Sequence, residues 1–278
     1  MYILAIETTG PVGSVAVIDA DKKCAAASSG QEMPEESAAF DKEERVPVKI
    51  TTQTMSHLKN LIPMAAELLE KEHIGKDEIC AVAASVGPGS FTGIRIGVST
   101  ARALAQAWDV PCISVPTLEL FREKCCSDSP VCAIFNARRG QVYGACYDGA
   151  GETLIEPGPY MLADMLDRIG ELRIKPVFYG DGVDAYFDKE EYLDRVSGYC
   201  AAPEEERYQS ADMTARYARE VWQEHEAGTC GHGRVVPYEE LLPDYMRESE
   251  AEQRLRDGSL EKMRKAKMEK FMKMAGKQ

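Results

Sequence analysis

Short apolar runs separated by polar turns organise the first half of the chain. Residues 2–6 (YILAI) and 14–18 (SVAVI) flank a turn at 7–13, the pattern of a hairpin with a glycine-containing loop. Residues 46–52 (VPVKITT) alternate as a strand, with Pro47 favouring its start or a sheet edge. Ser56 then caps a helix running to about residue 72, whose apolar stripe is Leu58, Leu61, Ile62, Ala65, Leu68 and Leu69. Pro63 should bend that helix unless it lies in the first turns. Residues 79–86 (ICAVAASV) form an unbroken apolar run, as expected of a strand covered on both faces. Gly87-Pro88-Gly89 stops it, because these residues supply turn conformations and the proline lacks a donor. A helix to Trp108 follows, with Ser90 and Thr92 as candidate N-caps. Residues 111–115 predict another buried strand and 117–125 a short helix.

The second half starts again with a hairpin. Residues 131–137 and 141–147 are strand-like and are joined by Arg138-Arg139-Gly140. A helix at about 162–173 and a strand at 176–179 follow, ending in Gly180-Asp181-Gly182, which fits a turn better than a nucleotide loop. Hairpin, helix and strand thus recur, which suggests duplication. An antiparallel start followed by strand–helix alternation predicts an α/β protein with mixed sheets. The organisation predicted is a first lobe over 1–127, a second over 128–209, and a helix and terminal segment over 210–250 that packs back on them. Residues 25–45 are too polar to bury and predict a solvated insertion. Residues 210–224 are amphipathic, with Met213, Tyr217, Val221 and Trp222 on one side.

Charge and cysteine content narrow the function classes. The chain has 278 residues, 44% of them hydrophobic, so it can bury a sizeable core. Its net charge of -13 argues against a general nucleic-acid-binding surface, which needs concentrated Lys and Arg. Residues 251–278 differ: nine Lys or Arg against four Asp or Glu give +5, leaving -18 elsewhere. That tail is either a solvated helix or a basic arm for an anionic partner such as tRNA. The nine cysteines include no C-x-x-C pair and are expected as free thiols in a reducing compartment. Met1-Tyr2-Ile3 leads directly into a strand without a basic leader, and no window approaches the roughly 20 apolar residues of a membrane span. The expected location is the cytoplasm.

Three stretches bear on chemistry. The helix after residue 90 carries Gly93, Gly97, Ala101 and Ala105 at four-residue spacing, so one whole face lacks bulk. Either the chain's own sheet or a helix of another chain can fill that face. The preceding glycines do not make a P-loop, because Ile94-Arg95 stands where Lys-Ser or Lys-Thr would follow. His57 opens the first helix, but residue 61 is leucine, so a two-histidine metal site one turn apart is absent. Cys230-Gly231-His232 offers two ligand types without partners and is expected as loop.

Several stretches together resemble one family: ILAIETTGPVGSVAV, SHLKNLIPMAAELL, GPGSFTGIRIGVSTARALA, NARRGQVY and LLPDYMRES. They are similar to the TsaB (YeaZ) family over roughly residues 1–250, with GPGSFTG the most specific part. The resemblance implies an actin-like ATPase (ASKHA, ribonuclease-H-like) fold with two similar lobes, each a mixed sheet flanked by helices. It implies a non-catalytic subunit in the synthesis of tRNA threonylcarbamoyladenosine (t6A), with no catalytic, cofactor-binding or metal residues of its own. The partner implied is TsaD, which carries the metal-binding histidines and transfers the threonylcarbamoyl group, and the pair helps recruit the ATPase TsaE. The contact implied is a helical bundle involving His57, Leu58, Leu61, Ala65, Gly93, Gly97 and Ala101. That favours another chain's helix on the small face, and a homodimer when TsaD is missing. tRNA would be met only indirectly or through the basic tail, and no membrane is involved. Two departures matter: the family's second hairpin begins with aspartate where this chain has Asn136, and the acidic residue of the first turn is Glu7. The pair is poorly equipped to hold a metal between lobes, which weakens the alternative of a stand-alone nucleotide-dependent kinase or ATPase. A metallopeptidase-like activity is disfavoured by the lone His57.

Overall fold

The computed structural model describes residues 1–22, 46–51, 57–126, 129–229 and 234–246, except the side chains of 49–51 and 57–59. The expected insertion, the tail, Ser56, Cys230-Gly231-His232 and the side chains of His57 and Leu58 therefore lie outside the described residues. The chain divides into two compact units, Met1–Asp244 and Tyr245–Gln278. The first holds every element described below.

The first sheet contains β1 (Tyr2–Glu7), β2 (Gly13–Asp19), β3 (Val48–Thr51), β4 (Ile79–Gly87), β5 (Cys112–Pro116) and β11 (Val235–Val236), ordered β11-β5-β4-β1-β2-β3. β1 pairs antiparallel with β2, placing Glu7 opposite Ser14, and parallel with β4, placing Leu4 opposite Val82. The second sheet contains β6 (Val131–Asn136), β7 (Gln141–Tyr147), β8 (Thr153–Met161), β9 (Val177–Tyr179) and β10 (Cys200–Ala201), ordered β10-β9-β6-β7-β8. Setting β11 aside, the two orders correspond strand for strand: β3-β2-β1-β4-β5 against β8-β7-β6-β9-β10. Helices follow at matching places, α1 (His57–Lys71) after β3 and α3 (Leu162–Glu171) after β8, then α2 (Phe91–Trp108) after β4 and α4 (Asp181–Tyr186) after β9. The duplication expected from the sequence is thus present in the topology, as is the mixed pairing.

Strand alternation decides what each face of the first sheet meets. Ile6, Val15, Val17, Val82, Ala84 and Val86 join Leu61, Met64 and Leu68 of α1 and Ile94, Val98 and Ala101 of α2 in one core. Glu7 and Ser85, one residue out of phase, instead meet Thr214 of α7 (Ala211–Glu226) on the opposite face. Both faces being covered explains why every residue of β4 is buried. α5 (Glu190–Val196) and α6 (Glu204–Arg207) complete the second half. Cys80, Cys112, Cys125, Cys132 and Cys146 are buried free thiols, as expected, whereas Cys126 and Cys200 are exposed. No helix among the described residues is long and apolar enough to cross a membrane.

A 3-10 segment, Thr117–Lys124, joins the sheets. Phe121 packs against Phe135 and Tyr179 of the second sheet, at ring separations of 5.8 and 5.6 Å. Glu123 of this segment lies 3.8 Å from Arg216 of α7. Burial pushes its carboxyl up to about 7, against the pull of Arg216 and Lys124. A carboxyl raised on folding leaves stability untouched below its ordinary value of 4.5, and costs stability as pH rises from there to about 7, above which the loss is complete. At about 1.4 kcal/mol per pH unit, the loss approaches roughly 3 kcal/mol. Glu123→Gln should therefore be more stable than the parent chain at pH 8 and lose less between pH 5 and 8 in urea unfolding. Parallel pH profiles for the two proteins would show that Glu123 ionises freely in the fold.

Candidate functional site

The turn after β1 is where an actin-like ATPase would present an acid to a metal, and here that acid is enclosed. Glu7 is fully buried. Its Oε1 accepts from the Thr9 backbone N–H and hydroxyl, both at 2.6 Å, and its Oε2 accepts from Thr214 Oγ1 at 3.4 Å. Burial raises its pKa, while hydroxyl donors including Ser85 draw it back. Gln209 covers the same turn: its Nε2 donates to Thr9 Oγ1 at 3.0 Å and would lie 2.7 Å from a Cβ on Gly10.

The second hairpin offers an amide instead of a carboxylate. Asn136 Oδ1 accepts from Arg138 N–H at 2.8 Å and from Tyr186 Oη at 3.0 Å, while Asn136 N–H donates to Asp181 Oδ1 at 3.0 Å. Arg138, Arg139 and Gly140 all have left-handed backbones (φ 65, 56 and 75°), so the Asn136 side chain closes a tight turn. Burial raises the pKa of Asp181, and the Asn136 N–H opposes the shift. Gly180-Asp181-Gly182 is the start of α4, seated on β6: a Cβ on Gly182 would lie 2.8 Å from the Ile134 carbonyl. Among the described residues, no group of three or more His, Cys, Asp or Glu is placed to share a metal ion.

The small face of α2 and part of α1 turn toward the chain's own fold. A Cβ on Gly93 would collide with the Thr8 carbonyl, and one on Gly97 with the Thr8 hydroxyl. Thr8 Oγ1 also donates to the Gly93 carbonyl at 2.8 Å, and Ser90 N–H donates to the Thr9 carbonyl at 2.7 Å. The backbone that comes close to the small face is thus the chain's own first turn. Ala101, Leu61 and Ala65 are likewise buried in the core beneath the helices. Gly93, Gly97, Ala101, Leu61 and Ala65 are thus covered within this chain, by its first turn and its core.

What the pair offers outward is different. Ile62, placed in the inward stripe from sequence, is 55% exposed and sits beside exposed Pro63 and Ala66. Met64 takes the inward position instead. On α2, Phe91 is 44% exposed with the Arg95 guanidinium 3.9 Å above its ring, and Thr92, Ser99 and Ala103 are exposed behind it. Sequence pattern does not single out Phe91, because it lies inside the GPGSFTG stretch, where turn residues carry the signal.

Residues 49–189 match the family model described as TsaD: tRNA N6-adenosine threonylcarbamoyltransferase. The "tRNA threonylcarbamoyladenosine biosynthesis protein TsaB" of Bacillus subtilis is 30% identical over 207 residues, 73% of this chain and 85% of the relative. Its Escherichia coli counterpart is 29% identical over 206 residues, 72% and 84% of the two chains. The solved structure of YeaZ from Pseudomonas aeruginosa superposes over 88% of this chain and 99% of its own, with a TM-score of 0.59 and 21% identity. That likeness supports the two-lobed actin-like fold seen in the sheet orders. The relatives carry the assignment and the fold agrees with it: the chain belongs to the TsaB (YeaZ) family of tRNA threonylcarbamoyladenosine biosynthesis proteins.

Proposed function

We propose that this chain is a non-catalytic subunit of t6A synthesis that docks a TsaD-type transferase through the outward face of α1 and α2. The observation that carries the non-catalytic part is Glu7. A carboxylate with both oxygens engaged by Thr9 and Thr214, behind Gln209, is not presented to a metal–phosphate group. Asn136 in the second turn supplies no second acid. The docking part is supported by the exposed apolar residues Ile62, Ala66 and Phe91 on adjacent helices, since interfaces are built around aromatic and aliphatic anchors. The pair would help recruit a TsaE-type ATPase in the cytoplasm. Without TsaD, the same face would pair two copies of this chain.

Depletion of the chain in its host tests the assignment. t6A in digested tRNA should fall several-fold and return when the chain is resupplied. Unchanged t6A after depletion would refute it. Tight ATP–magnesium binding with turnover by the isolated chain would favour the stand-alone ATPase instead.

A further inference from the structure

Helix α2 is set in place by a turn that is itself held from the other half of the molecule. Ser90, the N-cap of α2, donates its backbone N–H to the Thr9 carbonyl at 2.7 Å. Thr8 secures the Gly93 carbonyl one turn later. On its far side the same turn is held by Gln209, whose Nε2 donates to Thr9 Oγ1, which in turn donates to Glu7 Oε1. This is a relay of amide, hydroxyl and carboxylate among buried groups, where hydrogen bonds reinforce one another.

Gln209 follows a segment anchored to the second sheet. Gly180 N–H donates to the Arg207 carbonyl at 2.8 Å, Arg207 pairs with Asp184 of α4, and Tyr208 Oη donates to Asp184 Oδ2 at 2.8 Å. Gln209 is 4% exposed, yet its Oε1 has no hydrogen-bond partner among the described residues. Burying an unpaired amide oxygen is costly. The amide donor on Thr9 Oγ1 is the contact that links this segment to the turn. We infer that Gln209 is a positioning residue for the docking helix, setting the start of α2 through Thr9 and so tying partner affinity to the second lobe. The inference rests on the docking face proposed above.

The test is a double-mutant cycle with two readouts, amide exchange at residues 90–94 of the isolated chain and calorimetric affinity for the TsaD subunit of the same genome. Gln209→Met keeps volume and removes the donor; Thr9→Val removes the hydroxyl; Thr9→Ser restores it. Gln209→Met and Thr9→Val should each speed Ser90 exchange and weaken binding roughly three- to tenfold, about what one net hydrogen bond gives. The double variant should be no weaker than Thr9→Val alone, and Thr9→Ser should match the parent. Unchanged exchange in Gln209→Met, faster exchange with unchanged affinity, or additive effects in the double variant would each overturn the inference. Absence of binding by the parent chain would instead overturn the docking face, leaving exchange to judge the placement of α2.

Discussion

Gly97→Leu should unfold the protein rather than merely block an interface. A Cβ at 97 already collides with the Thr8 hydroxyl and would sit 3.8 Å from Ile6, and the remaining leucine atoms have only β1 and its turn to enter. Gly93→Ala is as severe, because its methyl meets the Thr8 backbone carbonyl, which no rotamer change can move. Overpacking typically costs about 1–3 kcal/mol when side chains can yield. Against a backbone turn fixed by Glu7, Ser90 and Gln209 the cost should exceed about 4 kcal/mol, a large part of an ordinary domain's stability. Gly170 on α3 is the control, since nothing lies within 4 Å of a Cβ there. Gly170→Ala should stabilise by up to about 1 kcal/mol. Urea unfolding followed by circular dichroism separates the three variants. A folded, stable Gly97→Leu would mean that the small face of α2 is not pressed on the first turn.

The second large effect concerns binding. Ile62→Arg combined with Ala66→Arg places two charges on the exposed side of α1. Exposed substitutions of this kind shift folding by about 0.5 kcal/mol or less. At the centre of a docking surface they desolvate charge without a partner, and a loss of at least about 2 kcal/mol, roughly thirtyfold in affinity, is expected. Size-exclusion chromatography with TsaD should show separate peaks for this variant at concentrations where the parent co-elutes. Co-elution of the double variant would move the interface off this face.

Local pattern carried the architecture well, and phase and distance mark where it failed. The strands of both hairpins and the buried β4 followed from runs of apolar residues, because a strand's exposure repeats every second residue or vanishes when both faces are covered. Four-residue spacing identified the Gly93–Gly97–Ala101 face, yet it says only that a face is small. What fills it is Thr8, 85 positions earlier, and no local rule sees that contact. Ile62 reads as inward because it is apolar, whereas the stripe is completed by Met64. β8 has no counterpart among the predicted elements: Pro157 and Pro159 interrupt a strand pattern, although an edge strand such as this tolerates them. Gln209 lies in a polar stretch with no pattern, and its role emerges only from three-dimensional proximity to Thr9.

If the outward face of α1 and α2 meets a TsaD-type subunit while the small inward face serves the chain's own fold, position 62 lies at the seam between the two proteins. A photo-crosslinking amino acid at position 62 tests it most directly, with one at the exposed Leu193 of the second half as reference. A covalent adduct with TsaD is expected from position 62 and none from position 193. Adduct formation at 193 with none at 62 would contradict it.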